Sequence, residues 1–279
     1  MNYVTNEQSF SFQYRWCVEN CGMIRLPNGK TIVVDPVMLK DESECEKPME
    51  KKFISGVSYT EVDACDLILI THAHGDHYFS LKKIWEKFHA PILINGWSAF
   101  YLARELDMPV GAFIPMTDGN EYNFDFCRIK WLAGRHSEGA GSKRVSEPGP
   151  GDTPQERELG YRGTIYNSNF IIMLPNGMKI AYDAGRFEPY LLELEKYNPN
   201  VVLVHTEKDI NYYSDTMCKS AIRSGAQFVI PLCVQHSGEN AEEMVRLTNE
   251  KLQAAGSWCK AINPKPGQWI TFTMNCSAE

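Results

Sequence analysis

Short apolar runs separated by polar and turn residues dominate the hydrophobic pattern of the chain. The runs at 66–70 (Asp-Leu-Ile-Leu-Ile) and 201–204 (Val-Val-Leu-Val) have the length of buried parallel strands rather than of helices. After the first run, Ser80 precedes apolar residues at helical spacing: Leu81, Ile84, Trp85 and Phe88. This pattern predicts a strand, a loop and an amphipathic helix, in that order.

Two distant segments of the chain share one pattern. Residues 23–35 and 170–183 each hold two apolar stretches around a Leu-Pro-Asn-Gly sequence, and they end in Asp35 and Asp183. Each segment predicts a β-hairpin. An internal duplication of this kind favours an α/β fold, a four-layer αββα sandwich of two similar halves with the site between them at the strand ends. The alternative is that Leu-Pro-Asn-Gly recurs only because its residues suit a turn.

Composition narrows the classes of protein. A chain of 279 residues with 43% hydrophobic content suits one domain over residues 1–279. An amino terminus that begins polar and the absence of an 18-residue apolar stretch predict a cytoplasmic protein with no membrane partner. Nine cysteines without a Cys-x-x-Cys pair indicate reduced thiols. A net charge of −7 argues against a nucleic-acid partner.

The most informative segment is 71–77, Thr-His-Ala-His-Gly-Asp-His, which directly follows the first apolar run. Imidazoles and carboxylates are ligands for Zn²⁺, Mn²⁺ and Fe²⁺. His72 and His74 are two residues apart near a strand end and can point the same way, whereas Asp76 and His77 lie beyond Gly75 and face elsewhere. The segment therefore predicts two adjacent metal sites.

This segment resembles the signature of the metallo-β-lactamase-fold hydrolase superfamily, in which His-x-His-x-Asp-His is followed by a later His, a later Asp and a final His. The later elements match His136, Asp183 and His236 in order. The resemblance implies the same αββα architecture. It implies two divalent metal ions, one held by His72, His74 and His136, a second held by Asp76, His77 and His236, and Asp183 as the bridge between them.

The predicted chemistry is hydrolysis by a metal-bridging hydroxide, because paired divalent ions lower the pKa of a shared water. Zinc is expected first, with manganese or iron as alternatives. Asp76 and Asp183 are the predicted catalytic residues, and Asp76 can also shuttle a proton. The oxygen-reducing di-iron members of the superfamily carry an acidic residue where this chain has His74, so a redox function is set aside.

Several further residues are candidates for the site. Asp35 is expected to support a metal-binding histidine through a hydrogen bond, or else to cap its strand. His205 ends the run at 201–204, where it could contact substrate or serve structure alone. The Gly- and Pro-rich segment Ser137–Arg162 predicts a long loop, either a lid or a solvated connection. Its cations that could bind an anionic substrate are Arg144, Arg157 and Arg162.

Within the superfamily, the chain looks most like the compact branch that includes L-ascorbate-6-phosphate lactonase. The leading hypothesis is a dinuclear hydrolase of a small anionic ester or lactone. The alternatives are a phosphodiesterase or phospholipase-like hydrolase and a non-catalytic metal-binding regulator. The expected partner is a small-molecule substrate, and homo-oligomerisation is left open.

Overall fold

The computed structural model describes residues 10–134, 136, 153–163, 166–183, 188–207, 209–233 and 241–273. Its strands are β1 (Ser11–Trp16), β2 (Gly22–Arg25), β3 (Thr31–Val34), β4 (Leu67–Leu69), β5 (Ile92–Asn95), β6 (Phe113–Met116), β7 (Glu121–Asn123), β8 (Arg128–Ala133), β9 (Ser168–Met173), β10 (Lys179–Asp183), β11 (Val201–His205), β12 (Phe228–Leu232), β13 (Lys260–Ala261) and β14 (Trp269–Thr273). Its α-helices are α1 (Leu81–Phe88), α2 (Gly96–Glu105), α3 (Pro154–Gly163), α4 (Glu188–Tyr197), α5 (Ile210–Ser224) and α6 (Ala241–Ala254).

The strands described form two sheets with the same internal plan. The first has the order β14-β1-β2-β3-β4-β5-β6, and the second has the order β7-β8-β9-β10-β11-β12-β13. In the first sheet β1 to β3 are antiparallel and β3 to β6 are parallel. In the second, β8 to β10 are antiparallel and β10 to β13 are parallel. This repeated topology confirms the internal duplication predicted from the two hairpins.

The two hairpin turns agree in detail. In each turn the glycine, Gly29 or Gly177, donates its N–H to the carbonyl of the leucine three residues earlier at 3.0 Å. Each asparagine, Asn28 or Asn176, accepts at its Oδ1 from the N–H two residues later at 3.1 Å. The φ angles of the glycines are 84° and 85°, a left-handed conformation that glycine adopts without steric cost.

Helices cover both outer faces of the paired sheets. Along β4 the buried side chains alternate, so that Leu67 and Leu69 face the second sheet while Ile68 packs in the cluster under α1 and α2. The second sheet packs with buried residues of α4, α5 and α6 on its outer side: Leu194, Met217, Ala221, Met244 and Leu252. The order helices, sheet, sheet, helices is the predicted αββα sandwich.

Helix α3 corrects one prediction. The sequence predicted a loop over Ser137–Arg162, but Pro154–Gly163 is helical. Proline is favourable in the first turn of a helix, and the Gln-Glu-Arg-Glu-Leu sequence that follows Pro154 consists of helix-favouring residues. The remainder of the predicted loop, residues 137–152, lies outside the described residues.

In the described part of the chain, none of the helices has both the length and the apolar character that crossing a bilayer requires. The cysteines that the structure describes are all free thiols.

Candidate metal centre

The histidine-rich segment leaves the sheet at the carboxyl end of β4, between the parallel neighbours β3 and β5. A short 3₁₀ turn, Gly75–His77, then leads towards α1. A Cβ at Gly75 would lie 2.8 Å from the ring of Phe79, so a larger residue would push that ring away. Glycine thus permits the tight fold of the segment that presents the histidines.

Three imidazoles converge at this edge. His72, His74 and His136 each offer a ring nitrogen, and these nitrogens all lie within 4.8 Å of one another. Two ring nitrogens of neighbouring histidines, His72 Nε2 and His74 Nδ1, are 3.0 Å apart. Two nitrogen ligands at ordinary zinc distances from one tetrahedral ion lie about 3.3 Å apart. The donor types and their spacing therefore fit a divalent metal ion.

The environment of His72 favours the protonation state that binds metal. Burial, followed by the neighbouring imidazoles of His77, His74 and His136, holds the pKa of His72 well below its ordinary value. A neutral imidazole retains the lone pair that a metal ion requires.

A buried carboxylate holds the third histidine of the segment. Asp35 Oδ2 lies 2.8 Å from His77 Nδ1, and Asp35 also accepts from the backbone N–H of Thr71 at 2.7 Å and from its hydroxyl at 2.6 Å. Burial disfavours the charged imidazolium, but the Asp35 carboxylate outweighs it and raises the pKa of His77 to about 9. Because Asp35 occupies Nδ1, Nε2 is the His77 nitrogen left for a ligand.

Thr71 is a residue that our sequence reasoning passed over. Besides its bonds to Asp35, its hydroxyl lies 3.0 Å from His72 Nδ1 and 3.1 Å from His77 Nδ1. One hydroxyl thus contacts the two buried histidines and the carboxylate. Its position as the first residue of the histidine-rich segment was the sequence signal that could have identified Thr71 as part of the site.

The second predicted set of ligands is only partly described. The His77 ring centre is 3.8 Å from that of His72. Asp76 is partly exposed, and although burial raises its pKa, the charges of His77 and His74 bring it below the ordinary value. His236 lies outside the described residues. Asp183 ends β10, paired with Val204, but its side chain is also outside the described part.

The remaining candidates occupy different surroundings. His205 ends β11, with Nδ1 3.3 Å from both Asn20 Oδ1 and Cys233 Sγ, and with Nε2 3.4 Å from Glu207 Oε1. It therefore belongs to a polar network of protein groups at the carboxyl edge of the second sheet.

The three arginines proposed for substrate binding do not share one environment. Arg157 is exposed on α3. Arg162 instead bonds to the backbone of Ala73 and to Tyr78 and Glu105. Arg144 lies outside the described residues.

Comparisons with known proteins identify the family of the chain. The family model of the metallo-beta-lactamase superfamily matches residues 14–163. A UPF0173 metal-dependent hydrolase of Cupriavidus metallidurans is 26% identical over 268 residues, which cover 92% of this chain and 84% of the relative.

Solved structures show the same fold. The metallo hydrolase Igni18 of Ignicoccus hospitalis is 17% identical, with a TM-score of 0.64 over 95% of this chain and all of that one. An isothiocyanate hydrolase from Delia radicum gut bacteria is 16% identical, with a TM-score of 0.64 over 94% of this chain and 99% of that one. Because the family model covers more than half of its length, this chain belongs to the metallo-β-lactamase superfamily, as a metal-dependent hydrolase.

Proposed function

We propose that the protein is a dinuclear metal hydrolase of small esters or lactones. The observation that carries the proposal is the convergence of three imidazole nitrogens, from His72, His74 and His136, within 4.8 Å. In the proposal these residues hold one divalent ion. The second is held by Asp76, His77 and His236, with Asp183 between the two, an assignment that rests on the order of the motif along the chain.

When bound, such ions lower the pKa of water and polarise a carbonyl or phosphoryl oxygen, which is the chemistry of hydrolysis. The nitrogen and oxygen donors suit zinc first, with manganese or iron as alternatives.

The protein's own groups prepare the site for this chemistry. Asp35 and Thr71 fix the ring of His77, and the low pKa of His72 keeps that ring neutral. The lowered pKa of Asp76 keeps its carboxylate ionised at neutral pH, so it can bind a cation or accept a proton from an attacking water. These roles need no Ser or Cys nucleophile.

Substrate preference is the finer part of the proposal. Because Arg162 donates to protein groups, the anionic preference in this proposal is assigned to Arg144 and to Arg157, which is exposed on α3. A remote carboxylate or phosphate on the substrate would gain binding energy from such a cation. The isothiocyanate hydrolase with a similar fold suggests that neutral carbon electrophiles should also be assayed.

Metal content tests the centre. The purified, zinc-loaded protein should carry two ions per chain. His136→Ala should lower the affinity for one ion, and His77→Ala should lower the affinity for the other. The matched control is His89→Ala, at the carboxyl end of α1, which should still bind both ions. If the protein saturates at one ion per chain and His77→Ala leaves the affinity for that ion unchanged, the assignment of Asp76, His77 and His236 to a second ion is refuted.

A substrate panel tests the reaction. Lactones, esters, phosphodiesters, β-lactams and isothiocyanates should be compared by kcat/KM, and we expect the highest value for an anionic lactone or ester. Arg157→Gln should reduce the preference for anionic over neutral substrates. Faster turnover of bis-aryl phosphodiesters would instead favour a phosphodiesterase, and two bound ions with no turnover of any class would favour a metal-binding regulator.

A further inference from the structure

Both backbone hydrogen-bonding groups of Ala73, the residue between His72 and His74, bond to one distant residue. The Ala73 N–H donates to the carbonyl of Arg162 at 2.8 Å, and Arg162 Nε donates to the Ala73 carbonyl at 3.1 Å. Ala73 is fully buried. Because buried peptide groups need partners, this two-point contact fixes the peptide that separates two candidate ligands.

The Arg162 guanidinium also reaches the far end of the same segment. Its Nη2 donates to the hydroxyl of Tyr78 at 2.8 Å, directly after His77. The same nitrogen forms an ion pair with Glu105 of α2 at 3.0 Å. One side chain therefore bonds inside the histidine-rich segment, at Ala73, and directly after it, at Tyr78. These bonds use several donors of one planar guanidinium, which a lysine cannot reproduce.

A stack of rings holds the guanidinium from α2. Arg162 lies over the ring of Tyr101, 4.3 Å from its centre. Tyr101 stacks on Trp97 at 5.8 Å with planes 10° apart, and Trp97 stacks on Tyr166 at 5.4 Å with planes 12° apart. Such cation–π and stacked contacts orient the groups that make them.

The far end of this stack is linked through the backbone to the segment that carries His136. Tyr166 is followed by Asn167, whose carbonyl accepts from the N–H of Gly134 at 2.7 Å. Gly134 precedes His136 by two residues. The contacts thus run from the segment of His72 and His74, through Arg162 and the stacked rings, to the segment of His136.

We propose that Arg162 is a positioning residue that fixes the spacing of His72 and His74, rather than a cation that binds substrate. The role rests on the metal centre proposed above. It also gives α3 a function, because this helix places Arg162 against the buried Ala73 of the histidine-rich segment.

Arg162→Lys tests the proposal, because it keeps the positive charge and removes the planar guanidinium with its several N–H donors. Arg104→Lys is the matched control, the same change at an exposed arginine beside Glu105 on α2. We expect zinc release into excess chelator to accelerate about tenfold to a hundredfold in Arg162→Lys, the usual cost of losing support around metal ligands. The visible absorption of the Co²⁺-loaded protein should change as well, because it reports ligand geometry. Arg104→Lys should match the unaltered protein in both measurements.

Unchanged zinc release and an unchanged Co²⁺ spectrum in folded Arg162→Lys would overturn the proposal. If that variant does not fold, Tyr78→Phe removes a single Arg162 contact and should accelerate release about twofold to tenfold, as one hydrogen bond would. No acceleration there would overturn the proposal equally.

Hydrogen exchange separates this role from the metal assignment. In the metal-free protein, the Ala73 amide should exchange faster in Arg162→Lys than in Arg104→Lys. Equal exchange rates would refute the positioning role itself. If the unaltered protein binds no metal but Ala73 exchange still depends on Arg162, the proposed function fails and the contact through Arg162 stands.

Discussion

Asp35 and His77, 42 residues apart, are joined by a 2.8 Å hydrogen bond between Oδ2 and Nδ1. Asp35 follows the strand of the first hairpin, and its φ of 43° lies in the left-handed region. A fully buried carboxylate is costly unless its oxygens are paired, and Asp35 accepts from Thr71 as well as contacting His77. The hairpin therefore contributes directly to the orientation of a candidate ligand.

Asp35→Asn should weaken metal binding. An amide in place of the carboxylate removes the charge that holds His77, and such losses typically cost ten- to a hundredfold in metal affinity. Asp66→Asn is the control, because Asp66 bonds to Lys30 and Thr31 at the opposite end of β4. Zinc competition titrations would measure both variants. Equal affinity losses in the two would show that Asp35 acts on overall stability alone.

Thr71→Val should destabilise the metal-free protein by about 1–3 kcal/mol, because a buried carboxylate loses one of its donors without a change in side-chain size. Thr248→Val serves for comparison. Thr248 is equally buried, but its hydroxyl donates to the Met244 carbonyl at 2.8 Å within α6. Denaturant unfolding would compare the two free energies, and a larger loss in Thr248→Val would contradict the central role of Thr71.

Asp183→Asn tests the proposed bridge. Removal of the negative charge between two cations should release one ion per chain, and turnover should fall at least about a hundredfold, the scale seen when a catalytic electrostatic group is lost. Folding, followed by circular dichroism, should persist. Two retained ions with normal turnover would exclude the bridging role.

The duplicated turns should respond alike to alanine. At Gly29 and Gly177 a Cβ meets no atom within 4 Å, so the cost arises from the left-handed backbone and should be about 1–2 kcal/mol in each. Gly111 is equally open but lacks a positive φ, so Gly111→Ala should change the free energy of unfolding by less than about 0.5 kcal/mol. Thermal unfolding of the three variants would reveal any inequality between the turns.

Local patterns explain how much of the fold the sequence could predict. The run at 66–70 contains β4, and Leu81 to Phe88 form α1 as their spacing predicted. Both signals depend on neighbouring residues only. The two hairpins could also be predicted from the sequence, because their turns need particular residues at fixed positions.

Other features depend on contacts that no local pattern encodes. Ala73 and Arg162 are 89 residues apart, and only the packing of α3 brings them together. The Gly- and Pro-rich surroundings obscured α3 itself, although residues 155–159 favour a helix. Arg162 was thus recognised as a cation near the site, but its partners were not.

One edge strand of the first sheet comes from the end of the chain, whereas the second sheet is built from consecutive strands. Strand β7 joins the second sheet beside β8, and β14, formed by Trp269–Thr273, returns to the first sheet beside β1. During synthesis on the ribosome, the edge of β1 consequently has no partner until the residues of β14 have emerged. A cut between β6 and β7 would leave the carboxy-terminal fragment with a strand, β14, that belongs to the first sheet. The first sheet therefore depends on both halves of the chain for its completion.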